Sequence, residues 1–327
     1  MICLTPNDPS SGEEKEEEGK EESHPSTHGS MKKAIFIGFN ALGDTLCTTP
    51  VLRAFRKRNP GISVLYIVQN ATFCRVLDAN PDIDLVLYSE QMYLSGSAIL
   101  NAQWLQSLPL DIQETTHLYH FDIQQVCAKP ESFHEHISRG FSKLLNIPID
   151  SIRPVVLLTP QEERLAGTFI RKPYFIFSMH SVSNPMRPDG NGLAKEWPRE
   201  RWLRLAEMIH AYGDFDVIAI GSERDPPIAS PYLRNLYGLP IKITAALLQR
   251  ARCVIALENG IAHLCAAVDA PLVEIYSNIV PLAWAHPKES SYCEVLFGNP
   301  QSISCDEVID AIQLIFSKKG LKREVKI

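Results

Sequence analysis

Two successive series of short apolar runs, each run followed by a helix-like segment, constrain the fold of this chain most strongly. The runs are continuous rather than alternating, as at residues 174–177 and 253–257. Continuous apolar strands joined by helices are typical of parallel sheets that are covered on both faces. Because the two series are similar in size, we predict an α/β chain with two doubly wound, Rossmann-like domains at residues 31–160 and 161–327, facing a central cleft.

The first thirty residues differ from the rest of the chain in composition and charge. They contain eight acidic residues and two lysines, which account for the whole net charge of −6. Such a segment lacks the apolar surface that would offset the entropy of ordering, so we predict a disordered acidic tail at residues 1–30. The remainder is neutral, which argues against nucleic acid as a partner, because nucleic-acid-binding proteins usually carry a basic excess.

The chain lacks the sequence signals of a secreted or membrane-spanning protein. No apolar stretch reaches the roughly 20 residues that a spanning helix needs, and the tail lacks the apolar core of a secretory signal. The eight cysteines include no C-x-x-C pair, which favours reduced thiols. We therefore expect a cytoplasmic location.

The first candidate site loop is Gly43-Asp44-Thr45, which follows the first predicted strand. Functional groups collect at the carboxyl ends of strands in this architecture, so Asp44 is a candidate catalytic carboxylate. Gly43 would permit a close approach of the backbone. The alternative is that Asp44 only caps the next helix. A position at a helix N-terminus should favour the ionised carboxylate and lower its pKa.

The second candidate loop contains Lys195 and precedes a helix, with Pro198 suited to the first helical turn. A lysine at the edge of the cleft would neutralise a diphosphate leaving group. The alternative is a solvated surface lysine.

The third candidate loop runs from the end of a strand into a helix and contains Glu258, Asn259, Gly260, Ile261 and His263. Free amides and the positive end of the helix dipole would form an anion site there, and His263 would reach a phosphate. The alternative for His263 is a buried imidazole bonded to the backbone.

A weaker signal is the turn that contains Gly221 and Glu223. It also follows a predicted strand, and Glu223 there would bind ribose hydroxyls.

Four motifs occur in a specific order along the chain. They are A-L-G-D-x-x-x-x-T-P-x-L at 41–52, N-P-x-I-D at 80–84, K-x-W-P at 195–198 and G-x-x-H-L-x-A at 260–266. Together they resemble glycosyltransferase family 9, the heptosyltransferase family of lipopolysaccharide assembly, over nearly all of residues 31–316.

The resemblance implies a GT-B fold and an inverting glycosyltransferase. The first domain would bind a glycan or glycolipid acceptor of the lipopolysaccharide type, and the second a nucleotide-sugar donor, ADP-heptose above all. Membrane contact would be at most peripheral, at the inner membrane. No cofactor and no metal are expected.

The resemblance also implies roles for individual residues. Asp44 matches the general base, and Lys195 is assigned to catalysis and to the donor phosphates. The remaining donor-site residues are Gly43, Thr45, Gly221, Glu223, Glu258, Asn259, Gly260, Ile261 and His263. Family members commonly have Asp-Thr-Gly where this chain has Glu258-Asn259-Gly260, which leaves the donor sugar and nucleobase open.

Several alternatives remain at this point. Asp82 and Asp84 mimic the D-x-D of metal-dependent transferases but precede a strand of the acceptor domain, so we interpret them as structural. The histidines at 117, 120, 134 and 136 lack a zinc-ligand spacing and could equally line the acceptor cleft. A non-catalytic nucleotide-sugar-binding protein, another donor sugar and a protein acceptor all stay open. A nicotinamide oxidoreductase is disfavoured, because no G-x-G-x-x-G turn follows the first strand.

Overall fold

The computed structural model of the chain describes residues 32–38, 41–94, 99–108, 117–181, 193–285 and 292–320. The predicted tail at residues 1–30 lies outside these ranges.

The first half contains a four-stranded sheet and its helices. Its elements are β1 (Lys33–Ile37), α1 (Leu42–Arg58), β2 (Ser63–Val68), α2 (Ala71–Val76), β3 (Leu85–Tyr88), α3 (Ala102–Gln106), β4 (His117–His120), α4 (Ile123–Cys127), a 3-10 helix (Pro130–Phe133) and α5 (Ile137–Leu144). The strands are all parallel and lie in the order β3-β2-β1-β4.

The second half contains a six-stranded parallel sheet. Its elements are α6 (Pro160–Gly167), β5 (Tyr174–Ser178), α7 (Arg199–Tyr212), β6 (Asp216–Gly221), β7 (Arg234–Tyr237), α8 (Ile241–Arg250), β8 (Cys253–Leu257), α9 (Gly260–Val268), β9 (Leu272–Ser277), a second 3-10 helix (Leu282–Trp284), β10 (Cys293–Gly298) and α10 (Cys305–Lys318). The order β10-β9-β8-β5-β6-β7 is the doubly wound order of a dinucleotide-binding fold.

The central strands follow directly from their composition. Every residue of β5, β8 and β9 is buried, as expected for strands that are covered by helices on both faces. The predicted class of two doubly wound α/β halves is therefore confirmed. The exact domain boundary at residue 160 stays a prediction.

Pro50 lies inside α1 and cannot donate to the Leu46 carbonyl one turn earlier. The Thr49 hydroxyl donates to that carbonyl instead, at 2.7 Å. The helix therefore continues through the proline to Arg58.

The two halves pack against each other through helices. Helix α1 contacts α9, and α2 contacts α8. One apolar cluster contains residues of both halves, among them Leu46 and Ala262. A Cβ on Gly260 would lie 2.9 Å from the Leu42 Cβ, so only glycine permits this approach of the two helix N-termini. The junction therefore brings the start of α1 against the start of α9. None of the helices within the described ranges is long and apolar enough to cross a membrane.

Candidate active site

The point where strand order reverses lies between β1 and β4 in the first sheet and between β5 and β8 in the second. Ligands of doubly wound sheets bind in the crevice at the carboxyl ends of such strands. Asp44 follows β1, and Glu258 and Asn259 follow β8. The reversal points of both sheets therefore carry candidate site residues.

Asp44 is the third residue of α1 and does not cap it. The N-cap is Ala41, which makes no side-chain cap bond. The carboxyl group is largely removed from solvent, and this burial raises its pKa to about 7, while the nearby Lys195 ammonium lowers it by less. The sequence-based expectation of a lowered pKa was wrong, because desolvation outweighs the helix dipole. A carboxylate with a pKa near 7 is suited to general-base catalysis at neutral pH.

Lys195 is buried and forms an ion pair with Glu258. Its Nζ lies 2.7 Å from Glu258 Oε1, and the two side chains are 8% and 14% exposed. Ser277 donates to the other carboxylate oxygen of Glu258 at 3.3 Å. Burial raises the pKa of Glu258, and Lys195 opposes this shift. Lys195 is thus not the solvated surface lysine that the sequence left open.

An ammonium has three N–H donors, so a bond from Lys195 to Glu258 is compatible with a bond to a second acceptor. Because Lys195 also acts electrostatically on Asp44, the pair joins the first half of the chain to the second. Asp44 thus interacts electrostatically with a lysine that is itself paired with Glu258.

Asn259 caps α9 and connects the ends of two strands. Its Oδ1 accepts from the Ile261 amide at 2.9 Å. Its Nδ2 donates to the Ser178 hydroxyl at 3.0 Å and to the His180 carbonyl at 2.8 Å, both at the end of β5. The asparagine thus stabilises the crevice at the reversal point with two bonds that a threonine would not supply.

At the start of α9, fewer backbone amides are available to bind an anion than the sequence predicted. The Ile261 amide is bonded to the Asn259 side chain, and the Ala262 amide to the Asn259 carbonyl at 3.2 Å. Within the described ranges, the Gly260 amide makes no hydrogen bond to the protein. Gly260 and Ile261 are half-buried, so the loop remains within reach of a ligand. Two amides of the predicted anion site are therefore already bonded within the protein, and we assign the Gly260 amide, supported by the helix dipole, to a ligand.

His263 packs across the junction onto the first half of the chain. Its Nδ1 lies 3.4 Å from Cys47 Sγ, and its ring lies over Gly43, where a Cβ would be 2.7 Å from the ring Cδ2. Gly43 is therefore required for close approach. Burial lowers the pKa of His263 to about 4, and Lys195 adds to the shift. The imidazole is neutral at pH 7, so it would meet a phosphate as a hydrogen-bond partner and not as a cation.

Three other predicted residues lie apart from this cluster. Thr45 is fully buried, and its hydroxyl donates to the Ala41 carbonyl at 2.9 Å, so the structure does not present it to a donor. Gly221 is the last residue of β6, and Glu223 lies two residues beyond it, where it is exposed and packs over Gly238. Glu223 thus follows the carboxyl end of β6, the second strand of the second half. In dinucleotide-binding folds, an acidic residue at this position binds the ribose hydroxyls.

Two polar side chains that the sequence analysis did not select lie at the same edge. His180 follows β5 and Tyr237 ends β7, with ring centroids 6.2 Å apart. His180 Nε2 and the Tyr237 hydroxyl are buried, and neither has a hydrogen-bond partner in the part of the chain that the structure describes. The position of His180, three residues beyond the strand predicted at 174–177, was a usable signal. Tyr237 was missed because β7 itself was not predicted.

Asp82 and Asp84 are structural, as interpreted from the sequence. Arg53 of α1 pairs with Asp82 at 3.3 Å, and Arg56 pairs with Asp84. Asp84 also accepts from the Val64 amide at 2.6 Å.

The four grouped histidines do not come together as a metal site. His120 approaches the Tyr93 hydroxyl at 3.1 Å, whereas His136 lies beside His263.

A cavity of about 430 Å³ lies elsewhere, at the amino ends of β5 and β8. It is lined in part by Lys172, Arg250 and Arg252. Lys172 and Arg250 already pair with Asp214 and Glu163, at 2.7 and 3.9 Å. The cavity is at the opposite end of the sheet from Glu258 and is not part of this site.

Comparison with known proteins identifies the family of this chain. The model of glycosyltransferase family 9 (heptosyltransferase) matches residues 119–308, more than half of the chain. The chain belongs to glycosyltransferase family 9. The resemblance drawn from the four motifs is thus confirmed, and the family classes the chain as a glycosyltransferase.

Curated relatives match this family 9 chain over a limited stretch. Lipooligosaccharide heptosyltransferase 2 of Haemophilus influenzae is 28% identical over 102 residues, which covers 28% of this chain and 29% of that relative.

Solved structures match the family 9 chain over most of its length. The family 9 glycosyltransferase of Veillonella parvula superposes with a TM-score of 0.66 at 17% identity, covering 88% of this chain and 97% of that one. The E. coli ADP-heptose lps heptosyltransferase II gives 0.66 at 15% identity, covering 88% and 100%. At these identities the likeness concerns the fold, and it confirms the predicted GT-B architecture.

Proposed function

We propose that this chain is an inverting glycosyltransferase that moves heptose from ADP-heptose to a hydroxyl group of a lipopolysaccharide-type glycan. The observation that carries the proposal is the meeting of Asp44 from the first half with the Lys195–Glu258 pair from the second half. A base on one half and a buried cation on the other then act on each other electrostatically, which suits a displacement reaction with an anionic leaving group.

The donor would lie at the reversal point between β5 and β8. Its diphosphate would accept hydrogen bonds from the Gly260 amide and from Lys195. Lys195 would keep its bond to Glu258 at the same time. The nucleoside would extend toward β6 and β7, where Glu223 offers a carboxylate for the ribose hydroxyls and His180 and Tyr237 offer buried polar atoms. The donor named for the E. coli structure supports ADP-heptose as the first candidate.

The reaction would be a single displacement at the anomeric carbon. The acceptor oxygen forms a bond to that carbon while the bond from the carbon to the diphosphate oxygen breaks. Asp44 takes the acceptor proton, and the electron pair of the broken bond leaves with the nucleoside diphosphate. Lys195 and the Gly260 amide stabilise the charge that develops on the leaving group, and the configuration at the anomeric carbon inverts.

The acceptor would bind on the first half of the chain, beside Asp44. A cytoplasmic location, with at most peripheral contact with the inner membrane, belongs to the same proposal. A diphosphate sugar is charged and does not cross a bilayer unaided, so the donor must be met on the side where it is made.

Two measurements test the proposal. A thermal-shift series with ADP, GDP, UDP and dTDP should give its largest rise in Tm with ADP, since a ligand at 100 times its Kd adds about 2.7 kcal/mol. Transfer from ADP-heptose to a purified core glycan should occur with the unmodified chain and fall about 10²-fold or more in Asp44→Asn.

The control is Asp150→Asn, which removes an exposed carboxylate of the first half and should leave transfer unchanged. If another nucleotide gives the largest rise in Tm, the donor is a sugar carried by that nucleotide and not ADP-heptose. Nucleotide binding without any transfer would favour a non-catalytic nucleotide-sugar-binding protein.

A further inference from the structure

A buried thiol and two imidazoles meet at the junction of the two halves. One ligand atom each of Cys47, His136 and His263 lies within 4.8 Å of the other two. Cys47 is fully buried, His136 is 5% exposed and His263 is half-buried. We propose that these three side chains bind Zn²⁺.

The spacing of two of these groups already suits a metal. Cys47 Sγ and His263 Nδ1 are 3.4 Å apart. Zn–S and Zn–N bonds of about 2.3 and 2.0–2.1 Å at a tetrahedral angle place the sulfur and the nitrogen roughly 3.6 Å apart. A zinc ion therefore fits between Cys47 and His263 with only a small adjustment.

His136 supplies an independent observation. Its Nε2 is buried and has no hydrogen-bond partner among the described residues. Its Nδ1 accepts a hydrogen bond from the Ser138 amide at 3.3 Å and lies 3.1 Å from the Ser138 hydroxyl. Zinc binding at Nε2 would require the other tautomer, in which Nδ1 carries the proton and donates to that hydroxyl, so that Nε2 presents a lone pair. This is the arrangement in which a zinc-bound histidine is held by a second partner on its other nitrogen.

The thiolate and the two imidazoles indicate which class of metal would bind. A thiolate with two neutral imidazoles suits zinc, whereas magnesium and calcium require oxygen ligands. Three protein ligands leave one tetrahedral position for water or another ligand. Binding would release the thiol proton of Cys47, which is the proton that metal binding normally displaces.

The three proposed ligands come from both halves of the chain. Cys47 lies on α1 and His136 caps α5, both in the first half, whereas His263 lies on α9 in the second. The ion would therefore join the two halves directly. Cys47 is also three residues after Asp44 on the same helix, so both side chains lie on one face and the ion would lie beside the proposed base.

Metal analysis of the purified full-length chain, prepared without chelator and without a metal-affinity tag, tests the proposal. About one zinc per chain is expected. After replacement by Co²⁺, the chain should show a thiolate-to-cobalt charge-transfer band and the intense visible bands of a tetrahedral site. This spectrum needs no variant, so it holds even if a substitution prevents folding.

The variants Cys47→Ser and His136→Gln identify the ligands. Cys47→Ser should abolish the charge-transfer band, and His136→Gln should lower zinc affinity about tenfold or more. Cys74→Ser and His120→Gln change a buried cysteine and a partly buried histidine outside the cluster, and both should retain the metal. Zinc should raise the Tm of the unmodified chain by about 5 °C and leave that of Cys47→Ser unchanged.

Two results would overturn the proposal: a zinc-treated chain that retains no zinc and gives no cobalt bands, or full zinc content in both ligand variants. Either result would leave a thiol–imidazole hydrogen bond at the junction. The metal measurements need no nucleotide, so their failure is separate from a failure of the proposed transfer reaction.

Discussion

Lys195 and Glu258 form an ion pair of 2.7 Å that is nearly withdrawn from solvent, at the edge where the two halves of the chain meet. Removing one member of such a pair leaves the other without its counter-charge in a poorly solvated place. The pair therefore contributes to stability as well as to the proposed site, and the two contributions can be separated.

We expect Lys195→Met to lower the free energy of unfolding by up to about 3 kcal/mol, because Glu258 is left unpaired. The double variant Lys195→Met/Glu258→Leu should lose less, since both charges are then gone. Lys57→Met is the matched control: Lys57 pairs with Asp150 at 3.5 Å, but both are exposed, so its loss should cost less than about 0.5 kcal/mol. Urea denaturation measures all three. Equal costs at the two lysines would contradict the argument.

The carboxyl group of Asp44 should control the acidic limb of the pH–rate profile. With a pKa of about 7, kcat/KM should rise about tenfold per pH unit below pH 7 and level off above it. The bound donor diphosphate would pair with Lys195 and add negative charge near Asp44, which raises the pKa of Asp44 in the complex. The acidic limb of kcat should therefore lie at higher pH than that of kcat/KM. Steady-state rates between pH 5 and 9 measure this. A profile that stays flat down to pH 5 would remove Asp44 from the role of base.

The same carboxyl group should make stability depend on pH. Its pKa is raised in the folded chain from 3.8 to about 7, so the unfolded chain loses its proton first as pH rises. The stability associated with the protonated form is present below about pH 4 and lost as pH rises through 7. Asp44→Asn does not titrate. Its Tm should therefore exceed that of the unmodified chain above pH 7, and the gap should close toward pH 4. A gap that is constant with pH would contradict the raised pKa.

The sheets were predictable from the sequence where strands are buried on both faces. The apolar runs at 174–177 and 253–257 predicted β5 and β8, because a continuous apolar run of that length is typical of a strand that is buried on both faces. The missed strands lie at sheet edges: β4 at one edge of the first sheet, and β7 and β10 at the two edges of the second. Edge strands are covered less completely, so they retain polar residues such as those of His117–His120, and the apolar signal disappears.

The candidate site was predictable only in part, for a similar reason. Asp44, Lys195 and Glu258 each follow or precede a recognisable element, so their meeting follows from the fold. The contact between Cys47 and His263 joins residues far apart in the chain, neither of which has a ligand spacing with a neighbour. The predicted direction of the pKa shift of Asp44 was wrong. The burial of this carboxyl group depends on how the second half of the chain packs, and a local sequence pattern does not contain that information.

The contact between Gly43 and His263 gives the last prediction. A Cβ on Gly43 would lie 2.7 Å from the Cδ2 atom of His263. Gly43→Ala should therefore displace the imidazole from Cys47 and cost about 1–3 kcal/mol, reduced by up to about 1 kcal/mol through the helix propensity of alanine.

Gly61→Ala is the matched control, because nothing lies within 4 Å of its added Cβ. That change should be neutral or stabilise by about 0.4–1 kcal/mol, through the lower entropy of the unfolded chain. In a His263→Ala background the clash partner is absent, so Gly43→Ala should then cost nothing or become stabilising. Urea denaturation of the four variants measures the coupling. An identical cost of Gly43→Ala with and without the imidazole would mean that the ring does not rest on Gly43.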